Sequence, residues 1–185
     1  MRNKLENFAL RDFVAVIVTA LIGFALNYFA RGVEPQTAYV LHLFILVLLT
    51  SLTGYLIRKF GITTIFLLIF SLFTYNMDGL GVKGMSKVFL YVIIGLISDF
   101  ILMISRGEGR NTVTNVLVSS IIAFTLYPLI TALLLSRESI PSLISATLNL
   151  TLLSILISIA GSLVSYLIWY QFRTTKIFLR FEFGS

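Results

Sequence analysis

Six long stretches of this chain hold a single charged residue between them, Asp99, and that feature constrains the fold more than any other. They cover residues 13–30, 37–57, 62–75, 88–104, 113–135 and 143–170. A hydrocarbon layer about 30 Å thick is crossed by roughly 20 apolar residues in a helix, so runs of this kind predict transmembrane helices. The third is short, and the sixth is long enough to tilt or to extend past the bilayer. The runs are continuous rather than alternating between apolar and polar, which argues against a membrane β-barrel. Overall the 185 residues are 58% hydrophobic and 12% charged, against about 25% charged in a soluble domain that must wet its surface. The reading is an all-α polytopic membrane protein, one domain formed by a bundle of six transmembrane helices.

The basic residues set the orientation. A net charge of +6 would suit nucleic acid, but these cations sit in the short gaps between apolar runs, where membrane orientation requires them. With the N-terminus inside, the inner segments hold Arg2, Lys4, Arg11, Arg58, Lys59, Arg106, Arg110, Arg173, Lys176 and Arg180. The outer loops hold Arg31, Lys83, Lys87 and Arg137. The asymmetry predicts both termini in the cytoplasm and a multi-pass protein of the cell membrane. No small-residue cleavage site follows the first run, so it reads as a retained helix. Residues 182–185 have the look of a partly non-native tail and are set aside.

Several kinds of chemistry have no residues to carry them. There is no cysteine and only one histidine, His42, which leaves no cysteine-ligated or multi-histidine metal site within one chain. H-E-x-x-H, G-x-S-x-G and a G-x-x-x-x-G-K-[ST] phosphate loop are all missing. An intramembrane aspartyl protease needs two apposed aspartates, and Asp99 is alone. The expectation is a protein that is not an enzyme and has no cofactor.

What remains is polar or small. Ala15, Thr19 and Gly23 recur every four residues on one face of the first helix; such a seam packs either against the chain's own helices or against a partner subunit. Thr147, Thr151, Ser154, Ser158, Ser162 and Ser165 form a stripe on the sixth, read as a packed interior face. Asn149 lies off that stripe and costs more in lipid, which makes it a ligand candidate. Asp99 must face the interior, as a structural hub near Arg106 and Arg110 or near Arg58, with a substrate contact or coupling group as the other reading. Near the outer helix ends, Tyr39, His42, Tyr75, Asn76, Asp78 and Tyr127, together with Asn149, are expected to gather into a site for a small polar ring compound. Tyrosines there also serve as interfacial anchors. The outer connection at 76–87, with Gly79, Gly81 and Gly84, reads by composition either as a mobile gate over such a site or as a plain connector.

Three stretches resemble a known family. Leu10-Arg11-Asp12-Phe13-Val14 opens the first helix, Gly54-Tyr55-Leu56-Ile57-Arg58-Lys59-Phe60-Gly61 forms the inner turn, and Gly95-Leu96-Ile97-Ser98-Asp99-Phe100 leads to the buried acid. In this order they are similar to the substrate-binding membrane subunits, the S components, of energy-coupling factor (ECF) vitamin transporters. Within these, the chain looks nearest the group for thiamine precursors such as hydroxymethylpyrimidine. It departs from that group's pattern at Phe60, in place of proline, and at Asp99, in place of glutamate. The resemblance implies vitamin capture from outside, with Ala15, Thr19 and Gly23 docking onto a transmembrane coupling subunit driven by two ATPases. A structural or assembly membrane protein without a small ligand is the alternative, and a small autonomous channel or carrier a third.

Overall fold

The computed structural model describes residues 8–30, 32–77, 82–106, 112–135 and 140–174. These form helices α1 (Leu10–Phe29), α2 (Pro35–Ile57), α3 (Ile62–Phe73), α4 (Gly84–Arg106), α5 (Thr112–Thr125), α6 (Tyr127–Leu135) and α7 (Ile140–Phe172). Helices α5 and α6 are one span interrupted at Leu126. Pro128, two residues further on, lacks the N–H that a continuous helix needs, and its ring crowds the preceding turn. Five of the resulting spans are long and apolar enough to cross a membrane. The protein is an all-α polytopic membrane protein.

The exception in length is α3. Its 12 residues reach only about 18 Å. It is bounded at its start by Gly61, which adopts a left-handed conformation at φ 85°. The turn before it is tight: Arg58, also left-handed at φ 49°, closes α2 by donating its N–H to the Gly54 carbonyl. A left-handed residue just past a helix end is a common stop, though glycine is the usual occupant. At the other extreme, the 33 residues of α7 extend about 50 Å, more than one bilayer thickness.

The core is built by α2, which packs on α1, α3, α5 and α7, and by α4 against α3 and α5. Leu43, Leu46, Val47, Phe66, Phe70, Tyr91, Ile94 and Phe124 are buried there. Large apolar side chains also cover the outside: Val14, Ile17, Val18, Leu21 and Ile22 on α1, and Leu152, Leu156, Leu163 and Leu167 on α7. In water such a surface would aggregate; in lipid it is matched to its solvent.

One end of the bundle is tied together by charge. Asp12 accepts a hydrogen bond from its own helix start, Ala9 N–H at 2.8 Å, and another from Lys59 Nζ at 2.9 Å. The Arg58 guanidinium lies 5.3 Å from the Trp169 ring and that of Arg173 lies 5.8 Å from it. The start of α1, the α2–α3 turn and the end of α7 therefore share one end, called the basic end below.

Two glycines show how closely the helices approach. A Cβ at Gly95 would stand 2.6 Å from the Thr64 Cα, so α4 crosses α3 almost backbone to backbone. A Cβ at Gly23 would stand 2.7 Å from both Leu49 Cδ1 and Phe70 Cε2. Thr19 is buried and Ala15 packs on the core. The seam of Ala15, Thr19 and Gly23 thus faces α2 and α3 of the same chain, not a partner. The expected docking role fails on geometry, because the surface it needs is already filled; the face of α1 left outside carries bulky aliphatics.

Candidate functional site

The close approach at Gly95 places Asp99, one turn further along α4, at the first turn of α3. Its carboxylate accepts from Thr63 N–H at 3.3 Å, Thr64 N–H at 2.9 Å and Thr64 Oγ1 at 2.6 Å. The first amides of any helix lack intrahelical partners, and negative charge is favoured beside them. Gly61 has no side chain to act as a cap, so α3 takes its cap from α4. Asp99 is structural as expected, but these bonds run to helix amides and a threonine hydroxyl rather than to the arginines assigned as partners. Arg110 lies outside the described residues, as does the Arg106 side chain.

Toward the opposite end, polar and aromatic groups meet in the core. The buried face of α4 carries Lys87, Tyr91, Gly95 and Asp99 at four-residue steps. Tyr91 is fully buried, and its hydroxyl is 2.7 Å from His42 Nε2 on α2. Its ring stacks on Phe70 of α3, with 6.1 Å between centroids and an interplanar angle of 8°. Tyr127 meets it edge-on at 6.2 Å. Lys87 Nζ stands 5.6 Å from the Tyr91 ring. It donates to the carbonyls of Thr74 at 2.9 Å and Met77 at 3.3 Å, just past the C-terminus of α3, where a cation complements the helix dipole. On the α7 side, the Tyr39 hydroxyl is 3.0 Å from Ser154 Oγ.

Within this cluster one group is unanswered. The Tyr127 hydroxyl is buried beside the side chains of Tyr91 and Thr131 and makes a well-formed hydrogen bond to neither. Pro128 follows it directly, so the buried phenol sits at the break between α5 and α6. The arrangement gathers the stacked rings of Tyr91 and Phe70, the Tyr127 hydroxyl, an imidazole and an ammonium at fixed positions. These are groups for holding a flat polar molecule, and none of them is arranged as a nucleophile with its base.

Of the residues proposed from sequence, Tyr39, His42 and Tyr127 reach this cluster. Tyr75 and Asn76 are exposed beyond the end of α3, and Asp78 lies outside the described residues. Asn149 is exposed on α7 between Leu148 and Leu150, which are also exposed. It sits on the outside of the bundle, away from the cluster, because it falls between the turns that carry the buried stripe. Lys87, Tyr91, Phe70 and Ser154 were not placed in the site by sequence. Lys87 reads as a loop cation when runs of apolar residues define the helices, yet α4 begins before it, at Gly84. Its four-residue step to Tyr91 was the available signal.

The stripe on α7 is interior over Ser154, Ser158, Ser162 and Ser165, all fully buried. Gly161 packs beside it on Val47, and Ser51 Oγ on α2 is 3.3 Å from Ser162 Oγ. Among the described residues no group of three or more His, Asp or Glu side chains could hold a metal ion. No family model, curated protein or solved structure matches the chain.

Proposed function

We propose that this protein is the substrate-binding membrane subunit of an ECF-type uptake system, and that it captures a small flat heterocycle, thiamine-related by resemblance. The observation that carries the reading is the buried convergence of His42, Lys87, Tyr127 and Phe70 on Tyr91, with the Tyr127 hydroxyl lacking a well-formed hydrogen bond. An ionisable group inside a membrane domain is costly and for that reason a candidate functional site. In this reading the basic end faces the cytoplasm and the cluster lies in the outer half. Energy for uptake would come from separate ATPase-bearing partners, since the chain has no phosphate loop of its own. Such partners would meet a surface other than the Ala15–Thr19–Gly23 seam.

The test is thermal unfolding of the purified chain in detergent with a panel of thiamine, its pyrimidine precursor and related heterocycles. A ligand at 100 times its Kd stabilises by about 2.7 kcal/mol. Tyr127→Phe removes a hydroxyl that makes no well-formed hydrogen bond, so the unliganded protein should melt close to the parent. Its ligand affinity should fall by about 1–3 kcal/mol, the scale of one buried hydrogen bond. A panel without any stabilising member supports the structural or assembly role instead. Equal affinity in Tyr127→Phe and the parent would remove this cluster as the site.

A further inference from the structure

Helices α2 and α7 end side by side, each on an arginine. Arg58 follows directly on the apolar span Thr37–Ile57, and Arg173 on the span Thr147–Phe172. Both cations therefore stand where hydrocarbon gives way to the phosphate layer. Their guanidinium carbons lie 5.3 Å and 5.8 Å from the centre of one ring, that of Trp169. Arg58 is held by its left-handed backbone at φ 49° and by Nε, which donates to the Tyr55 carbonyl at 3.3 Å. Arg173 donates its backbone N–H to the Trp169 carbonyl at 2.8 Å, and its guanidinium lies 4.4 Å from the Tyr170 ring. Trp169 is buried and stacks on Tyr55, so the core itself supports the platform on which the two arginines meet.

The described carboxylates near this end are turned inward. Asp12 is buried against Ala9 N–H and Lys59, and Asp99 is buried on the first turn of α3. What the described residues present at the surface here is positive, with Arg173 fully open to it. A guanidinium lying on a ring spends no N–H on that contact, and its planar fork of donors matches a phosphate. On the hydrocarbon side, Leu163, Leu167 and Tyr170 are exposed along one face of α7, and Arg173 is next on that face.

We propose that Arg58 and Arg173, on the Trp169 platform, hold the headgroup phosphate of an anionic phospholipid whose acyl chains lie along the leucine face of α7. Two like charges gathered on one indole favour an anion between them, and the bilayer supplies one at this depth. A zwitterionic lipid brings its own cation next to the phosphate, so lipids of net negative charge are preferred. The proposal requires only that the bundle spans a membrane, and it is independent of what the His42–Tyr91–Tyr127 cluster binds.

Trp169 is the only tryptophan in the chain, so its fluorescence reports on this site alone. The full chain is reconstituted in vesicles of phosphatidylcholine with a minority of phosphatidylglycerol, the acyl chains of one lipid or the other carrying bromine, a contact quencher. Per mole of brominated lipid, phosphatidylglycerol should quench Trp169 about fivefold more than phosphatidylcholine, the preference that one cation at a membrane surface confers. In the Arg58→Gln, Arg173→Gln double variant the two lipids should quench alike. Lys83→Gln, at the opposite end, should keep the parent ratio. Equal quenching in the parent overturns the proposal and leaves this end to a soluble partner or to orientation alone. A parent-like ratio in the double variant also overturns it, because the preference would then belong to the charge of the whole end. If the double variant does not fold, Arg173→Gln alone takes its place, since that side chain is exposed. It should cut the ratio at least by half, and an unchanged ratio counts against the site.

Discussion

Asp99 is the residue whose role depends most on where another helix begins. Three hydrogen bonds hold its carboxylate on Thr63 and Thr64, so removing it strips the cap from a helix of 12 residues. Asp99→Ala should lower unfolding stability in detergent by about 1–3 kcal/mol, the cost of leaving buried donors unanswered. Asp99→Asn keeps an acceptor oxygen and should lose less. Heterocycle binding should survive in both variants once folded, because Asp99 sits at the opposite end of α3 from Lys87 and its carbonyl partners. Loss of binding in a folded Asp99→Asn protein would place the ligand at the wrong end. The sequence marked this aspartate as structural, since an acid inside an apolar run has to be answered. Its partners were not legible, because backbone amides at a helix start carry no residue-type signature.

At the scale of elements, the deciding quantity is how near two helices come. Gly95 brings α4 onto the α3 backbone, whereas Gly23 brings α1 onto the tips of Leu49 and Phe70. Side-chain tips can turn aside and a Cα cannot. Gly95→Ala should therefore cost more than Gly23→Ala, with about 1–3 kcal/mol for the former by analogy with overpacked cores; chemical denaturation in detergent gives the order. Equal costs would mean that α3 and α4 shift apart without penalty. A second comparison tests the two faces of α1: Val16 is fully buried and Val18 is 49% exposed. Val16→Ala should destabilise while Val18→Ala should be near neutral, because alanine in lipid leaves no cavity. Four-residue spacing of small side chains predicted a close-packed seam correctly. It carried nothing about whose helix fills the seam, since the chain's own α2 and α3 meet the same geometric need as a partner would.

The whole molecule reduces to a bundle with one strongly basic end. Arg58, Lys59 and Arg173 gather there with Asp12, Trp169 and Tyr170, and the proposal is that this end faces the cytoplasm. The chain has no native cysteine, so single cysteines report orientation cleanly. Phe60 and Lys83 are both exposed, at opposite ends of α3 and its neighbours. An impermeant thiol reagent on intact cells should modify Lys83→Cys and should reach Phe60→Cys only after permeabilisation. The reverse pattern inverts the bundle and puts the aromatic cluster in the inner half.

The sequence alone was enough for the class of fold and for five of its spans, because exclusion of charge from lipid acts residue by residue and leaves its record in the composition of each run. It was also enough to mark Ser154, Ser158, Ser162 and Ser165 as interior, since a helical period reports a face. Only the tertiary structure decided what each face meets. Asn149 and Tyr127 look equally eligible as polar groups near a helix end, yet one turns outward beside leucines and the other inward beneath Tyr91. Lys87 passes from a loop cation to the buried neighbour of Tyr91 once the start of α4 is known. Contacts between helices depend on the rotation of each about its axis, and that rotation is set by packing against several neighbours at once.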